Sequence, residues 1–476
     1  MRQETFSKLV ITHLLNQSDL KSDMFEGMAS YTEIHRPQFH FTAQENWIND
    51  PNGLVYMNGV WHLFFQHNPE ATVWGNMTWG HAVSEDLIHW RQLDHVLHPD
   101  ELGSMFSGCA VVDHANSAGF GAGTMLVFYT AAGNYAEPKR PFTQCLAYSV
   151  DGERWQKYSG NPVVEWIEDD NRDPKVIWHQ SSGRWIMALY LAEDRYCLLA
   201  SENGLDWKKI QDLRLEGDAE CPDFFPLIDD SGEERWVFWG ASGRYLIGDF
   251  DGYHFSALKD LRRCERGPNG YAAQTWSNVP DGRCIQISWM AGGHYPEMPF
   301  NQQLSIPVEL KLAGSGVDVK LLRLPIAELN TLRVRSVAED KKVIAPGSPL
   351  EVATHGPLFD ATVALRRQDG DVLFVVVRGY VIELNWAERE LRFPKSSPHK
   401  LSTHEEITLP DAPQLTLRFI VDRASIEIFV NEGEVSASVC YLPDAHQYSL
   451  VFYAHGGEQT LDFELHELDS IWQQNG

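Results

Sequence analysis

The dipeptide Asn58-Gly59 stands between two apolar runs, Leu54-Val55-Tyr56-Met57 and Val60 through Phe65. Asn-Gly supplies the two positive φ angles that a type I′ turn demands, so this stretch predicts a β-hairpin. The same grammar recurs. Val176–His179 and Arg184–Leu191 flank Ser181-Ser182-Gly183, and Trp236–Trp239 and Tyr245–Phe250 flank Ala241-Ser242-Gly243. No long 3.6-residue periodicity interrupts these hairpins, which leaves an antiparallel, all-β architecture.

A weak repeat narrows the choice. Ser84-Glu85-Asp86 leads to Trp90, Ser149-Val150-Asp151 to Trp155, and Ser201-Glu202-Asn203 to Trp207; a degenerate copy runs from Asp249 and Asp251 to Phe255. A polar turn followed by an aromatic plug, recurring at roughly 50 residues, fits the blades of a β-propeller. Beyond residue 350 the alternation is cleaner. Leu417, Phe419 and Val421 point one way, Thr416, Arg418 and Ile420 the other, and Ser425–Val430 turns through Asn431-Glu432-Gly433 into Glu434–Cys440. This predicts a C-terminal β-sandwich. The expected division is a helical N-terminal extension (1–34), a propeller (35–325), a linker (326–349, ending near Pro346-Gly347-Ser348-Pro349) and a sandwich (350–476).

Charge and cysteine usage exclude some partners. With 39 basic and 66 acidic residues the net charge is −27, a field that disfavours nucleic acid and anionic membrane surfaces. No apolar run approaches a bilayer-spanning length. The seven cysteines (Cys109, Cys145, Cys197, Cys221, Cys264, Cys284, Cys440) form no C-x-x-C pair, and Leu9-Val10-Ile11 is too short for a secretory apolar core. Both point to the reducing cytoplasm. His62, His67, His81, His89, His95 and His98 match no metal-ligand spacing, so no metal and no cofactor is expected.

Three acids stand out by context: Asp50 in Trp47-Ile48-Asn49-Asp50-Pro51-Asn52-Gly53, Asp173 in Arg172-Asp173-Pro174, and Glu220 in Glu220-Cys221-Pro222-Asp223. A residue before proline is held extended, which restricts where Asp50 and Asp173 can point. Acids distant in sequence can converge on a propeller axis from different blades. Two carboxyl groups flanking a glycosidic bond are what sugar cleavage needs, one to attack or to activate water and one to protonate the leaving oxygen. The proton donor needs a raised pKa, and Glu220, beside Cys221, Pro222, Phe224 and Phe225, suits that better than Asp50. On context alone, an acid before proline is more often a turn residue than a catalyst.

The motifs themselves go further. The His40–Trp90 segment, with Asn46-Trp47-Ile48-Asn49-Asp50-Pro51-Asn52-Gly53, Phe65-Gln66-His67-Asn68-Pro69, Trp74-Gly75-Asn76-Met77 and Trp79-Gly80-His81, resembles the opening of glycoside hydrolase family 32, the invertase, levanase and inulinase group. The likeness continues through Phe106-Ser107-Gly108, Arg172-Asp173-Pro174-Lys175-Val176, Glu220-Cys221-Pro222-Asp223-Phe224-Phe225 and Val421-Asp422-Arg423-Ala424-Ser425-Ile426-Glu427-Ile428-Phe429. The resemblance implies a five-bladed propeller with a β-sandwich, and hydrolysis of terminal β-fructosyl units with retained configuration. It makes Asp50 the nucleophile, Glu220 the acid/base and Asp173 the transition-state stabiliser. Arg172 would pair with Glu220 or Asp173; Asn49, Gln66 and Ser107 would bind sugar hydroxyls; Trp47, Trp74, Phe106, Cys221 and Trp289 would shape the pocket. The implied partner is a small carbohydrate, sucrose or a fructo-oligosaccharide, and the sandwich could pair two copies.

Two departures from the family pattern stand in the chain. Cys109 replaces a usual serine. A usual Trp-Arg-Gly stretch is absent before Leu304-Ser305-Ile306-Pro307, where Pro299-Phe300-Asn301-Gln302-Gln303 stands instead. Sucrose, sucrose phosphate, levan, inulin and short fructans therefore all remain open as substrates. Transfer of fructose to another sugar and a non-catalytic carbohydrate-binding propeller are the rival readings. A sialidase would require a tyrosine nucleophile and an arginine cluster that no motif marks.

Overall fold

The computed structural model describes residues 31–366, 372–393, 406–444 and 447–472. The expected N-terminal helix falls, except for residues 31–34, outside the described residues. The remainder is built from strands and short 3₁₀ turns.

Five antiparallel sheets follow one another around the propeller. Counted from the innermost strand outward, the first blade holds Asn46–Met57, Val60–Asn68, Thr78–Ser84 and Arg91–Leu97. The second holds Ser104–Asp113, Thr124–Ala132, Thr143–Ser149 and Gln156–Lys157; the third Arg172–His179, Arg184–Ala192, Arg195–Ser201 and Lys208–Arg214. The fourth holds Asp223–Ile228, Glu234–Trp239, Arg244–Phe250 and Phe255–Ala257; the fifth Gly270–Thr275, Cys284–Met290, Val308–Ala313 and Lys320–Pro325. The ring is tied where Phe300–Asn301 pairs in parallel with Asn46 and Trp47 of the first blade.

The predicted hairpins form. Asn58 and Gly59 have φ of 53° and 86°, the left-handed values that their turn requires. The repeat proves to be one turn used four times between third and fourth strands. Asp86 Oδ1 accepts the amides of Ile88 and His89, Asp151 Oδ1 those of Glu153 and Arg154, Asn203 Oδ1 those of Leu205 and Asp206, and Asp251 Oδ1 those of Tyr253 and His254. The aromatic that follows each turn then packs in a separate apolar cluster: Trp90, Trp155, Trp207 and Phe255.

Two six-stranded sheets form the sandwich. One runs Arg333–Ile344, Gln459–Leu468, Phe359–Arg366, Gln414–Val421, Ser425–Val430, Val435–Cys440; the other Leu350–Ala353, Ser449–His455, Val372–Val377, Tyr380–Asn385, Glu390–Arg392, Glu406–Thr408. Leu417, Phe419 and Val421 enter the core between the sheets, while Ile420 on the opposite face is buried against the propeller. The linker reading needs correction. Half of 326–349 is the strand Arg333–Ile344, which pairs along Gln459–Leu468. It is an edge strand and mostly exposed, and its Arg, Lys, Glu and Asp side chains hide the period-two pattern while guarding the edge against stray pairing.

Buried charge joins the two domains. Asp422 accepts hydrogen bonds from the amides of Gln38 (2.8 Å), Phe39 (3.0 Å) and His40 (3.2 Å), and from His40 Nδ1 (2.8 Å). His40 Nε2 meets Glu427 Oε1 at 2.9 Å, and that oxygen also accepts the Ile306 amide (2.8 Å). Nearby, Glu265 on the propeller binds Arg323 Nη1 (2.7 Å) and the Ser438 amide (3.0 Å).

Candidate active site

All five blades send a residue to the same cavity, from the first half of the innermost strand or just before it: Asp50, Ser107, Asp173, Glu220 and Tyr271. A regular strand would turn alternate side chains to alternate faces. Here the ladder is broken where the pocket begins. The pairing register slips between Ile48 and Pro51, between Phe106 and Gly108, between Lys175 and Arg172, and between Tyr271 and Gln274. Each slip is a bulge that re-aims one or two side chains toward the axis.

Asp173 corrects one expectation. Its φ is +64° rather than the extended value a following proline favours. Its amide donates to Thr130 Oγ1 (3.0 Å), and the bulge turns its carboxylate inward. Glu220 (φ 60°), Cys221 (φ 36°) and Ala272 (φ 52°) share this left-handed conformation. It costs a non-glycine residue about 1–2 kcal/mol, so the surrounding packing holds the site in place.

The cavity has a volume of about 270 Å³ and is lined by Asn49, Asp50, Gln66, Trp74, Met77, Phe106, Ser107, Arg172, Asp173, Glu220, Tyr271 and Trp289. Ser107 Oγ donates to Asp50 Oδ2 at 2.6 Å. The Cys221 thiol reaches both Asp50 Oδ2 (3.6 Å) and Asp173 Oδ2 (3.5 Å), and the Cys221 amide donates to Asp173 Oδ2 (3.1 Å). Arg172 Nη2 donates to Glu220 Oε1 at 2.5 Å, and its Nε lies 3.7 Å from Asp173. The Tyr271 hydroxyl donates to the other Glu220 oxygen at 2.6 Å. Trp47 lies behind the lining, edge-on to Trp289, with its indole N–H on Asn49 Oδ1 (3.0 Å).

Loss of solvent raises the pKa of Asp50. The Ser107 hydrogen bond opposes that shift and the charge of Glu220 adds to it. Asp173 is pushed up to about 7, chiefly by burial; the Arg172 guanidinium pulls it down, while Glu220 and Asp50 push it further up. The acids thus sense one another's charge across one small space. Among the described residues, no group of three or more His, Cys, Asp or Glu side chains could hold a metal ion.

The structure brings every residue singled out from the sequence into or against this cavity, Trp47 and Cys221 as supports rather than walls. Two lining residues escaped the sequence reading. Met77 closes the Trp74-Gly75-Asn76-Met77 motif and was readable from it. Tyr271 lies in no motif; its one signal is position, in the first half of a blade's first strand, where Asp50, Ser107 and Asp173 also lie.

Carboxyl groups that converge from different blades on one small cavity are the equipment of a carbohydrate-cleaving enzyme. The N-terminal domain model of glycosyl hydrolases family 32 matches residues 40–325 and its C-terminal domain model residues 360–468, so the chain belongs to this family of β-fructofuranosidase-type hydrolases. It is 33% identical to a levanase of Bacillus subtilis over 99% of this chain and 76% of that protein. It is 27% identical to an extracellular exo-inulinase of Aspergillus awamori, over 93% of this chain and 96% of the other. The crystal structure of exo-inulinase from Aspergillus awamori superimposes with a TM-score of 0.83 at 26% identity, over 93% of this chain and all of that one. A β-fructofuranosidase from Schwanniomyces occidentalis, complexed with fructosyl-erythritol, gives 0.81 at 25% identity, over 93% and 99%.

Proposed function

We propose that the chain is a retaining, exo-acting fructosidase that releases terminal non-reducing β-D-fructosyl units from sucrose or fructo-oligosaccharides. The observation that carries this reading is the small cavity in which Asp50, Asp173 and Glu220, from three different blades, face one another. A cavity of about 270 Å³ has room for little more than one sugar ring, which favours a chain end over a chain interior. The levanase and exo-inulinase names of the relatives support fructan as the substrate class.

In this reading an Asp50 oxygen attacks the anomeric carbon of the fructosyl unit as its bond to the leaving oxygen breaks, and Glu220 delivers a proton to that oxygen. A covalent fructosyl-enzyme results. Glu220, now ionised, takes a proton from water while the water oxygen attacks the same carbon and Asp50 departs. Ser107 and Asn49 orient Asp50. Asp173 accepts hydrogen bonds from fructose hydroxyls as positive charge develops on the ring. Arg172 and Tyr271 hold the two oxygens of Glu220 in place.

Two assays test this. Ranking kcat/KM over sucrose, sucrose 6-phosphate, 1-kestose, inulin and levan gives the substrate, with free fructose as the expected product. Hydrolysis in the presence of methanol is expected to yield the β-configured methyl fructoside, and the α-configured product overturns the covalent route. New oligosaccharides outweighing free fructose at high sucrose would favour transfer instead. We place the enzyme in the cytoplasm, a reading supported by its seven free thiols; a secreted, active protein in cell fractionation would contradict it.

A further inference from the structure

At about 270 Å³ the cavity falls below the range of pockets that enclose a drug-sized ligand. It suits one sugar ring, and the rest of an oligosaccharide has to lie on the rim. Two large aromatic rings stand exposed there in edge-on contact, their planes 60° apart, so that each turns its own face outward along a bent surface. Trp74 lines the cavity yet is 44% exposed; Tyr135 does not line it and is 54% exposed. Their centroids are 5.8 Å apart, and both pack on Phe106 inside the mouth, at 5.9 Å and 5.6 Å. The three rings thus form a continuous apolar step from the cavity wall outward, with Tyr135 the outermost.

The backbone that carries the outer ring closes tightly, and the ring itself rests on Trp74 and Phe106. Tyr135 ends the 3₁₀ turn Gly133–Tyr135, whose Gly133 carbonyl accepts the amides of both Ala136 (3.0 Å) and Arg140 (2.8 Å). A Cβ on Gly133 would lie 2.5 Å from the Pro141 carbonyl oxygen and 2.6 Å from that of Arg140, so the loop closes tightly upon itself. An aromatic ring, with two side-chain torsions, offers contact area at little cost in side-chain entropy. Sugar rings carry apolar C–H faces that pack on such surfaces.

We propose that Trp74 and Tyr135 form a two-ring stacking platform for the leaving group, the first sugar beyond the cavity lying on Trp74 and the second on Tyr135. Tyr135 is then the residue that favours fructo-oligosaccharides of three or more units over sucrose, whose single leaving sugar reaches only Trp74. This rests on the fructosidase reading and names the substrate length that the same site prefers.

The experiment compares the full-length enzyme with Tyr135→Ala and Tyr135→Phe on sucrose, 1-kestose and 6-kestose. Tyr135→Ala is expected to lower the ratio of kcat/KM for the preferred kestose to that for sucrose by about tenfold, mostly through KM, as loss of one stacked ring implies. Tyr135→Phe keeps the ring and is expected to hold the ratio within about twofold. An unchanged ratio in Tyr135→Ala, an equal fall on sucrose and the kestoses, or a Tyr135→Phe as impaired as Tyr135→Ala each overturns the platform while leaving the fructosidase reading intact. Wild-type enzyme that frees no fructose from any of the three overturns that reading, and the platform with it.

Discussion

Two sets of buried acids in this molecule live under opposite conditions. At the seam between the domains, Asp422 is saturated by four main-chain amides (Gln38, Phe39, His40 and Arg423) and by the His40 ring, and its pKa is lowered despite its burial. His40 is raised to about 9, because its two carboxylate partners outweigh the cost of burying its charge. In the pocket, Asp50 and Asp173 have few donors and one another for neighbours, and both are raised, Asp173 to about 7. Burial is common to both sets, so burial does not mark the chemistry. What separates them is whether the protein itself spends the hydrogen-bonding capacity of each carboxylate or leaves it open to a cavity.

The largest expected effect tests the pocket. Asp50→Asn and Glu220→Gln are each expected to cut kcat by at least about 10³-fold, while circular dichroism and thermal melting stay near wild type. Near-wild-type turnover in either variant would remove the catalytic assignment. At the seam the reverse is expected. Asp422→Ala leaves the His40 ring and four amides without their acceptor, and breaking a buried pair in this way costs about 3–5 kcal/mol. Its melting temperature should fall by several degrees, with kcat per folded molecule retained. If Asp50→Asn and Asp422→Ala melted alike, the contrast between the two sets would be lost.

A smaller effect follows from the sign of the His40 shift. A histidine whose folded pKa lies above its unfolded value of about 6.5 contributes stability that is fully present below that pH. The contribution is lost as pH rises through about 9. The wild-type melting temperature should therefore decline between pH 7 and 10 more steeply than that of His40→Gln. Parallel curves would mean that His40 is not charged at the seam.

Legibility in the sequence follows the same divide between local and distant causes. The Asn58-Gly59 hairpin and the Ser/Asp turns could be read because their chemistry is spent within four residues of where it is written. Asp50, Asp173 and Glu220 stand out by context and motif, but their meeting depends on five blades closing into a ring, and on context alone an acid before proline is more often a turn residue. The bulges that aim them have no local signature; proline even pointed the wrong way for Asp173. Tyr271 was missed because an isolated tyrosine at a strand start looks like any other until Glu220 lies 2.6 Å away. Arg333–Ile344 was missed for the opposite reason: its charges serve the edge of a sheet and resemble those of a linker.

Asp173 offers the finest test of the comparison, since its shift is opposite in sign to that of Asp422. An acid whose folded pKa is raised gives no penalty while it is protonated in both states, below its ordinary value near 3.8. The penalty grows as pH rises from there and is complete above about 7. Asp173→Asn keeps the shape and removes the charge, so it should melt above wild type by about 2 °C at pH 8. The gap should close as the pH is lowered toward 4, and activity should fall even where stability rises. For Asp422 the lowered pKa predicts the mirror image, stability present above its ordinary value and lost as pH falls through the folded one, so Asp422→Asn should be most harmful near neutrality. An Asp173→Asn that melts below wild type at pH 8 would mean that this carboxylate holds the pocket together as Asp422 holds the seam.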